Sequence, residues 1–237
     1  HCIFEYIYFA RLDSKIDNIS VYEARIRGGA TLAKTYPVDA DLVCGVPDSG
    51  LASAKGYSEE SGIPFGLAFH KNSYVGRTFI KPTQKERESS VKIKLSVLES
   101  VVKGKRIVLV DDSIVRGTQL RETTEFLYDS GAKEVHIRPA CPPLVYGCKF
   151  LNFSRSSSEM DLITRRVIAR LEGTEDVSEE VLEQYTDPES EKYDQMVEEI
   201  RKELNFTSLR FNRLDDMLEA VGIPKEKLCT YCWNGKD

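Results

Sequence analysis

The stretch Val108–Thr118, with the sequence VLVDDSIVRGT, is the most informative part of this chain about its fold. Its first three residues are aliphatic and predict the end of a buried parallel strand. Asp111 and Asp112 follow at the carboxyl end of that strand, and a helix is predicted over residues 118–130. In open α/β sheets, ligands bind outside the carboxyl ends of the strands. The stretch therefore predicts both a parallel sheet and a ligand site at its edge.

The chemistry of this loop points to one kind of ligand. Backbone N–H groups at a helix N-terminus favour a phosphate, and Gly117 lets the backbone approach that phosphate closely. The paired carboxylates of Asp111 and Asp112 suit sugar hydroxyls or Mg²⁺. A ribose 5-phosphate carries both groups. The predicted phosphate-binding residues are Ser113, Ile114, Val115, Arg116, Gly117 and Thr118.

The same stretch resembles the phosphoribosyl pyrophosphate (PRPP) loop of type I phosphoribosyltransferases. The wording VDDSIVRGT is similar to that of the amidophosphoribosyltransferase (glutamine PRPP amidotransferase) family. The resemblance implies an α/β fold, with a mostly parallel sheet and helices on both faces. It implies transfer of ammonia to C1 of PRPP, giving 5-phosphoribosylamine and pyrophosphate, the first step of purine synthesis. The plain alternative is a Rossmann-like sheet whose acidic pair caps a helix.

Composition narrows the class of protein. The 237 residues carry a formal net charge of −5, so no basic surface indicates nucleic acid. No apolar run reaches the ~18 residues that span a membrane, and no signal peptide is recognisable, which together predict a cytoplasmic protein. The chain opens at His1 and enters Ile3–Phe9, interpreted as a strand, so it is interpreted as a fragment. In the resembled family, a glutaminase domain precedes this point and supplies the ammonia.

Strands and helices alternate over the first part of the chain, which predicts a parallel sheet. Further strands are predicted at residues 41–47, 64–69, 106–110 and 134–138, and helices at 20–35, 49–57 and 91–102. Charged, helix-favouring segments follow at 159–172, 178–185, 191–204 and 215–220. We expect a phosphoribosyltransferase domain over residues 1–154 and a helical extension over 155–237.

Two further segments are candidates for substrate contacts. Ser49 follows a predicted strand and opens a helix; the resemblance places it near Mg²⁺ and pyrophosphate, whereas the plain alternative is a helix cap. The polar, basic segment after Lys71 predicts a lid that closes over the substrate. It contains YVGRTF, which is close to a signature of the resembled family. By that match Lys71, Arg77 and Lys94 would contact PRPP phosphates, with Arg77 catalytic beside Asp111 and Asp112.

The cysteines form a second constellation. Cys229 and Cys232 make a Cys-x-x-Cys motif, Cys2 opens the chain and Cys148 follows a Pro-Pro pair. These positions match the cysteine ligands of the iron–sulfur branch of the resembled family, which implies a 4Fe-4S cluster; Zn²⁺ on the same four sulfurs is the alternative. Cys44 and Cys141 are predicted to be buried thiols.

The sequence is also compatible with three other functions. A PRPP-sensing regulator would keep the loop but add a basic, DNA-binding face, and a nucleobase phosphoribosyltransferase would lack YVGRTF and the cysteine set. An oxygen sensor built on the cluster is a third possibility. The resemblance also implies feedback by purine nucleotides and a homo-oligomer. After Cys148 the family has an aromatic-Gly-Ile-Asp run, whereas Lys149–Ser154 stands here.

Overall fold

The computed structural model describes residues 1–72, 95–151 and 158–236. The strands are β1 Lys15–Ile16, β2 Ile19–Ser20, β3 Leu42–Gly45, β4 Phe69–Lys71, β5 Leu95–Val97, β6 Arg106–Asp111, β7 Glu134–Pro139 and β8 Ser208–Leu209. The helices are α1 Val21–Thr35, α2 Gly50–Ser61, α3 Glu99–Val102, α4 Thr118–Asp129, α5 Ile163–Glu172, α6 Glu179–Thr186, α7 Glu191–Glu203, α8 Leu214–Val221 and α9 Tyr231–Asn234. A π-helical turn covers Glu5–Phe9, and 3₁₀ turns cover Glu159–Asp161 and Lys225–Lys227.

The central sheet is parallel and has the order β3-β6-β7-β8. Its strand β6 is buried on both faces, as its unbroken aliphatic run predicts. Val108 and Val110 pack with residues of α1 and α2, whereas Ile107 and Leu109 pack with α4 and the later helices. The α/β fold with helices on both faces of a parallel sheet is therefore confirmed.

Local signals place several helices correctly. Ser20 caps α1 by accepting a hydrogen bond from the backbone N–H of Glu23, the contact predicted from their spacing. Gly62 ends α2 in the left-handed conformation with φ of 74°. The charged segments after residue 158 form α5, α6 and α7 close to their predicted limits.

Three of the predicted elements are wrong. Ile3–Phe9 is not a strand: its Glu5–Phe9 part is a π-helical turn, because the Arg25 guanidinium binds the carbonyls of Tyr6 (2.8 Å) and Ala10 (3.0 Å) in place of a neighbouring strand. Residues 64–68 make only one isolated bridge, between Phe65 and Val43.

The third error is the long helix predicted over residues 91–102. Its described part contains β5, which pairs antiparallel with β4, and only the short helix α3. Its pairing partner, β4, lies more than twenty residues earlier in the chain, so a local sequence pattern cannot predict this pairing. Strand β8, which extends the central sheet beside β7, was not predicted either.

No helix in the described ranges is long and apolar enough to cross a membrane.

Candidate active site

The candidate site lies where two neighbouring parallel strands end. Gly45 of β3 pairs with Val110 of β6, and the backbone N–H of Val46 donates to the carbonyl of Val110 at 2.9 Å. The two loops that follow these strands therefore start side by side. One loop leads into α2 and the other into α4, which is the ligand-binding edge of an α/β sheet.

A hydroxyl–carboxylate network joins the two loops. Ser49 Oγ donates to Asp112 Oδ2 at 2.5 Å, and Ser113 Oγ donates to Asp112 Oδ1 at 2.5 Å. Asp111 Oδ1 accepts from the backbone N–H of Asp112 at 2.9 Å. The structure thus brings together residues that the sequence separates by more than sixty positions.

The capping alternatives for these side chains are wrong. Ser49 makes no side-chain capping bond in α2, and its hydroxyl is directed to Asp112 instead. Helix α4 has Gly117 at its N-cap and no side-chain capping bond, so neither Asp111 nor Asp112 caps it. Neither carboxylate is therefore engaged at a helix N-terminus.

Burial makes this acidic pair electrostatically costly. It raises the pKa of Asp111 well above its usual range, and the charge of Asp112 raises that pKa further. The pKa of Asp112 is also raised by burial, although the Ser113 and Ser49 hydroxyls and the Arg25 guanidinium act to lower it. Two adjacent carboxylates in this setting favour hydroxyl groups or a cation as partners.

Close backbone contact between α2 and β6 holds the loops in place. A Cβ atom on Gly50 would lie 2.4 Å from the carbonyl oxygen of Val110 and 3.3 Å from Asp111 Cα. Only glycine fits there, because carbon and oxygen atoms do not approach so closely without a bond. Gly50 therefore sets the distance between Ser49 and the acidic pair.

The predicted phosphate loop is braced by the later helical segment. Gly117 adopts φ of 81°, and a Cβ atom on it would lie 2.7 Å from Ile163 Cδ1. The carbonyl of Val115 accepts from the backbone N–H of Ile163, and that of Arg116 from the Arg166 guanidinium, both at 2.9 Å. Ile163 and Arg166 were missed by sequence reasoning because no motif links them to the loop.

Of the other residues predicted to contact the substrate phosphates, Lys71 lies within the described part of the chain. Lys71 ends β4 and forms an ion pair with Asp48, in the loop between β3 and α2, so it lies at the same edge of the sheet. The Pro47–Asp48 peptide in this loop is cis. Arg77 and Lys94 lie outside the described residues.

The four cysteines of the second constellation converge although they come from both ends of the chain. Cys2 and Cys229 form an isolated parallel bridge, in which the Cys229 N–H donates to the carbonyl of His1 at 2.7 Å. The Cys148 and Cys232 thiols are hydrogen-bonded, and burial, with the neighbouring thiols adding to it, raises the pKa of Cys232. None of the six cysteines forms a disulfide, and Cys44 and Cys141 are buried as predicted.

Comparison with known proteins places this site in a family. The family model described as "Phosphoribosyl transferase domain" matches residues 17–141. Three curated archaeal relatives are named amidophosphoribosyltransferase. Those from Methanothermobacter thermautotrophicus and Methanocaldococcus jannaschii are 42% and 44% identical over 235 residues, which is 99% of this chain and 43% of each relative. That from Archaeoglobus fulgidus is 51% identical over 179 residues, 75% of this chain and 39% of the relative.

Two solved structures are also similar over 99% of the chain. One, described as an allosteric regulatory enzyme of purine biosynthesis, is 39% identical with a TM-score of 0.78, and 45% of it is covered. The other is glutamine PRPP amidotransferase from B. subtilis complexed with ADP and GMP, which is 40% identical with a TM-score of 0.77, and 46% of it is covered. The chain thus spans less than half the length of the proteins it matches.

Proposed function

Because the chain belongs to the phosphoribosyl transferase domain family, we propose that it performs the phosphoribosyl transfer of an amidophosphoribosyltransferase. The reaction joins ammonia to C1 of PRPP and gives 5-phosphoribosylamine and pyrophosphate, the first step of de novo purine biosynthesis. One observation carries the proposal: the Ser49–Asp112 contact joins two loops beside the N-terminus of α4. The names of relatives that are 40–44% identical over nearly the whole chain support it.

Different residues of the site bind different parts of PRPP. Asp111 and Asp112 accept hydrogen bonds from the ribose hydroxyls, and the backbone of Ser113–Thr118 holds the 5-phosphate at the start of α4. As the bond from C1 to the pyrophosphate oxygen breaks, positive charge develops on the sugar ring, and the nearby carboxylates stabilise it. The lone pair of ammonia forms the new C1–N bond, and pyrophosphate leaves with the electron pair of the broken bond. The C1–NH₃⁺ group that is formed first releases one proton to solvent, which gives 5-phosphoribosylamine.

Mg²⁺ fits the donor set of this site. Carboxylate and hydroxyl oxygens are its preferred protein ligands, and the raised pKa values of the adjacent carboxylates indicate that a cation beside them is favourable. Ser49, Asp111 and Asp112 would hold it. When bound, the ion supplies positive charge that neutralises the leaving pyrophosphate.

Basic side chains complete the proposed site on the pyrophosphate side. Lys71 is held at the sheet edge by Asp48, and a substrate phosphate would compete with that carboxylate for its ammonium group. Arg77 and Lys94 are assigned to the PRPP phosphates, and Arg77 to catalysis, on the sequence resemblance alone.

The test measures pyrophosphate release from PRPP and Mg²⁺ with ammonium chloride. We expect turnover with ammonia and none with glutamine, because ammonia release from glutamine is assigned to a separate glutaminase domain. The double variant Asp111→Asn/Asp112→Asn should lose turnover by about a hundred-fold or more while its urea unfolding curve stays close to wild type. Arg121→Gln/Glu125→Gln, which removes an exposed ion pair on α4, is the matched control.

Each alternative gives a different result. PRPP binding without turnover with either nitrogen source would favour the sensing regulator. Turnover with a purine or pyrimidine base in place of ammonia would favour a nucleobase phosphoribosyltransferase. Wild-type rates in a folded Asp111→Asn/Asp112→Asn variant would remove the carboxylates from the mechanism.

We further propose that Cys2, Cys148, Cys229 and Cys232 hold one 4Fe-4S cluster. These four cysteines come from distant parts of the chain, form no disulfide and meet in a largely apolar surrounding, which is the usual setting of cluster ligands. Burial raises the pKa values of Cys2 and Cys232, so these two thiols would stay protonated unless iron displaces their protons.

The preference for a cluster over zinc rests on the resemblance of the cysteine positions to those of the iron–sulfur branch. A tetrahedral zinc site with Zn–S bonds of about 2.3 Å needs all four sulfurs within about 3.8 Å of one another. In the described part of the chain, no three His, Cys, Asp or Glu side chains are close enough to hold a single metal ion.

Metal analysis of anaerobically purified protein tests this assignment. About four irons and four sulfides per chain with brown absorbance are expected. Cys229→Ser should lower the iron content and the free energy of unfolding, whereas Cys44→Ser, which changes a buried thiol outside the constellation, should keep the iron. One zinc per chain without colour would refute the cluster.

The division of the chain follows from the same reasoning. We propose a phosphoribosyltransferase domain over residues 1–154 and a helical extension over 155–237 that carries the Cys-x-x-Cys. A glutaminase domain in the full-length protein would supply ammonia, since the chain covers 43% of its curated relatives. Feedback by purine nucleotides and assembly into a homo-oligomer complete the proposal.

A further inference from the structure

Arg25 is a buried cation that the proposed reaction does not use. Its side chain extends from α1 and is only 6% exposed. The guanidinium donates from Nε to the carbonyl of Tyr6 at 2.8 Å and from Nη2 to the carbonyl of Ala10 at 3.0 Å. These carbonyls need hydrogen-bond donors, but they do not need a full positive charge. Because burying a charge is costly, the charge of Arg25 requires a separate explanation.

The carboxylate that acts on this charge is Asp112. No carboxylate forms a direct ion pair with the Arg25 guanidinium in the part of the chain that the structure describes. Burial lowers the pKa of Arg25, and the charge of Asp112 acts in the opposite direction. The Arg25 charge in turn acts to lower the pKa of Asp112. The buried cation and the acidic pair are therefore coupled through space.

The neighbours of Arg25 place it on the interior side of the candidate site. A small cavity is lined by Arg25, by Ser53 of α2 and by Ala140, the residue after β7. The backbone N–H of Ala140 donates to the carbonyl of Asp111 at 2.8 Å. Ser53 lies about one turn of α2 after Ser49. The guanidinium thus lies behind the acidic pair, on the face of the sheet that carries α1 and α2.

Backbone contacts between the helices fix this position. A Cβ atom on Gly29 of α1 would overlap the carbonyl oxygen of Ser53 in α2, so only glycine fits there. Helix α2 is held against β6 by Gly50 in the same way. The stack of β6, α2 and α1 therefore keeps Arg25 in a constant position relative to Asp112.

We propose that Arg25 is a positioning residue whose buried charge offsets that of the acidic pair and so sets the relative affinity of the site for a divalent cation and for PRPP. The adjacent carboxylates of Asp111 and Asp112 attract a cation and repel the phosphates of PRPP. A fixed positive charge behind them weakens both effects. The inference rests on the proposed function, because the two ligands are taken from it.

Neutral substitutions at Arg25 test this role through two equilibrium measurements. Arg25→Gln keeps a hydrogen-bond donor but removes the charge, and Arg25→Met removes both. Binding of Mn²⁺ to the protein alone is followed by the electron paramagnetic resonance of free Mn²⁺. Binding of PRPP is followed by calorimetry at saturating Mg²⁺ without ammonia. In both variants we expect Mn²⁺ to bind about five-fold more tightly and PRPP about five-fold more weakly, each equivalent to about 1 kcal/mol.

Two further variants separate charge from structure. Arg25→Lys keeps the positive charge and should leave both affinities close to wild type. Arg27→Gln removes an exposed cation from the same helix, where Arg27 donates to the carbonyl of Ala220 at 2.7 Å, and it should change neither affinity. Urea unfolding of each variant establishes that the proteins compared are folded.

The direction of the two shifts decides the role of Arg25. Structural damage to the site would weaken both ligands, so opposite shifts in the neutral variants identify the charge. Unchanged affinities in the neutral variants, or weaker binding of both ligands, would overturn the inference while wild-type protein still binds PRPP and turns it over. Wild-type protein that does not bind PRPP would refute the proposed function, and this inference with it.

Discussion

Replacing Gly50 by alanine tests whether the contact between α2 and β6 sets the candidate site. The new Cβ atom would lie 2.4 Å from the Val110 carbonyl oxygen, about 1 Å inside the ordinary contact distance of 3.4 Å. Both neighbours are backbone, so the start of α2 must move away from β6 by about that amount. Overpacking of this kind costs about 1–3 kcal/mol, of which the better helix propensity of alanine returns up to about 1 kcal/mol.

The same movement should damage the site more than the fold. Ser49 precedes Gly50 and donates to Asp112 at 2.5 Å, so a displacement of about 1 Å breaks that hydrogen bond. Misplacement on this scale costs about a hundred-fold in rate. We therefore expect kcat/KM for PRPP with ammonia to fall about a hundred-fold, while urea unfolding shows a loss of about 1–2 kcal/mol.

A neighbouring glycine supplies the matched control for this substitution. A Cβ atom on Gly28 in α1 would meet only Ala220 Cβ, at 3.9 Å, which is ordinary contact. Gly28→Ala should keep full activity and gain up to about 1 kcal/mol in stability. If Gly50→Ala protein retains the kcat/KM and the unfolding free energy of wild type, the spacing of α2 and β6 does not govern the site.

Two further substitutions test a loop contact and a pH effect. Arg166→Met removes the hydrogen bond to the Arg116 carbonyl and should raise KM for PRPP about five-fold, equivalent to about 1 kcal/mol. Arg170→Met on the same helix removes only the ion pair with Glu203 and should leave KM unchanged. Equal KM values in the two variants would show that the Arg166 hydrogen bond does not support the phosphate loop. Burial lowers the pKa of His136 below its usual value and outweighs the opposing hydrogen bond with Glu134. Below about pH 6.5 the unfolded chain therefore binds more protons than the folded one, and stability falls as pH falls. His136→Gln should flatten the unfolding free energy between about pH 7 and 5.5, and an unchanged slope would contradict this.

Local sequence signals are sufficient to predict the central strand, the loop after it and the helix that follows. In Val108–Thr118 the hydrophobic run, the acidic pair and the glycine each act through neighbouring residues, so the pattern is readable without the rest of the chain. The cap of α1 by Ser20 and the ends of α2 and α4 are local in the same sense. The family of the chain also followed from this stretch.

Contacts between groups that are distant in the sequence are visible only in the folded structure. The contact of Ser49 with Asp112 depends on β3 lying beside β6. The bracing of the loop by Arg166, and the turn at Glu5–Phe9 held by Arg25, likewise join separate parts of the chain. Such contacts are fixed by side-chain packing and by the pairing of backbone groups over long sequence separations, which override local propensity and leave no periodic signal.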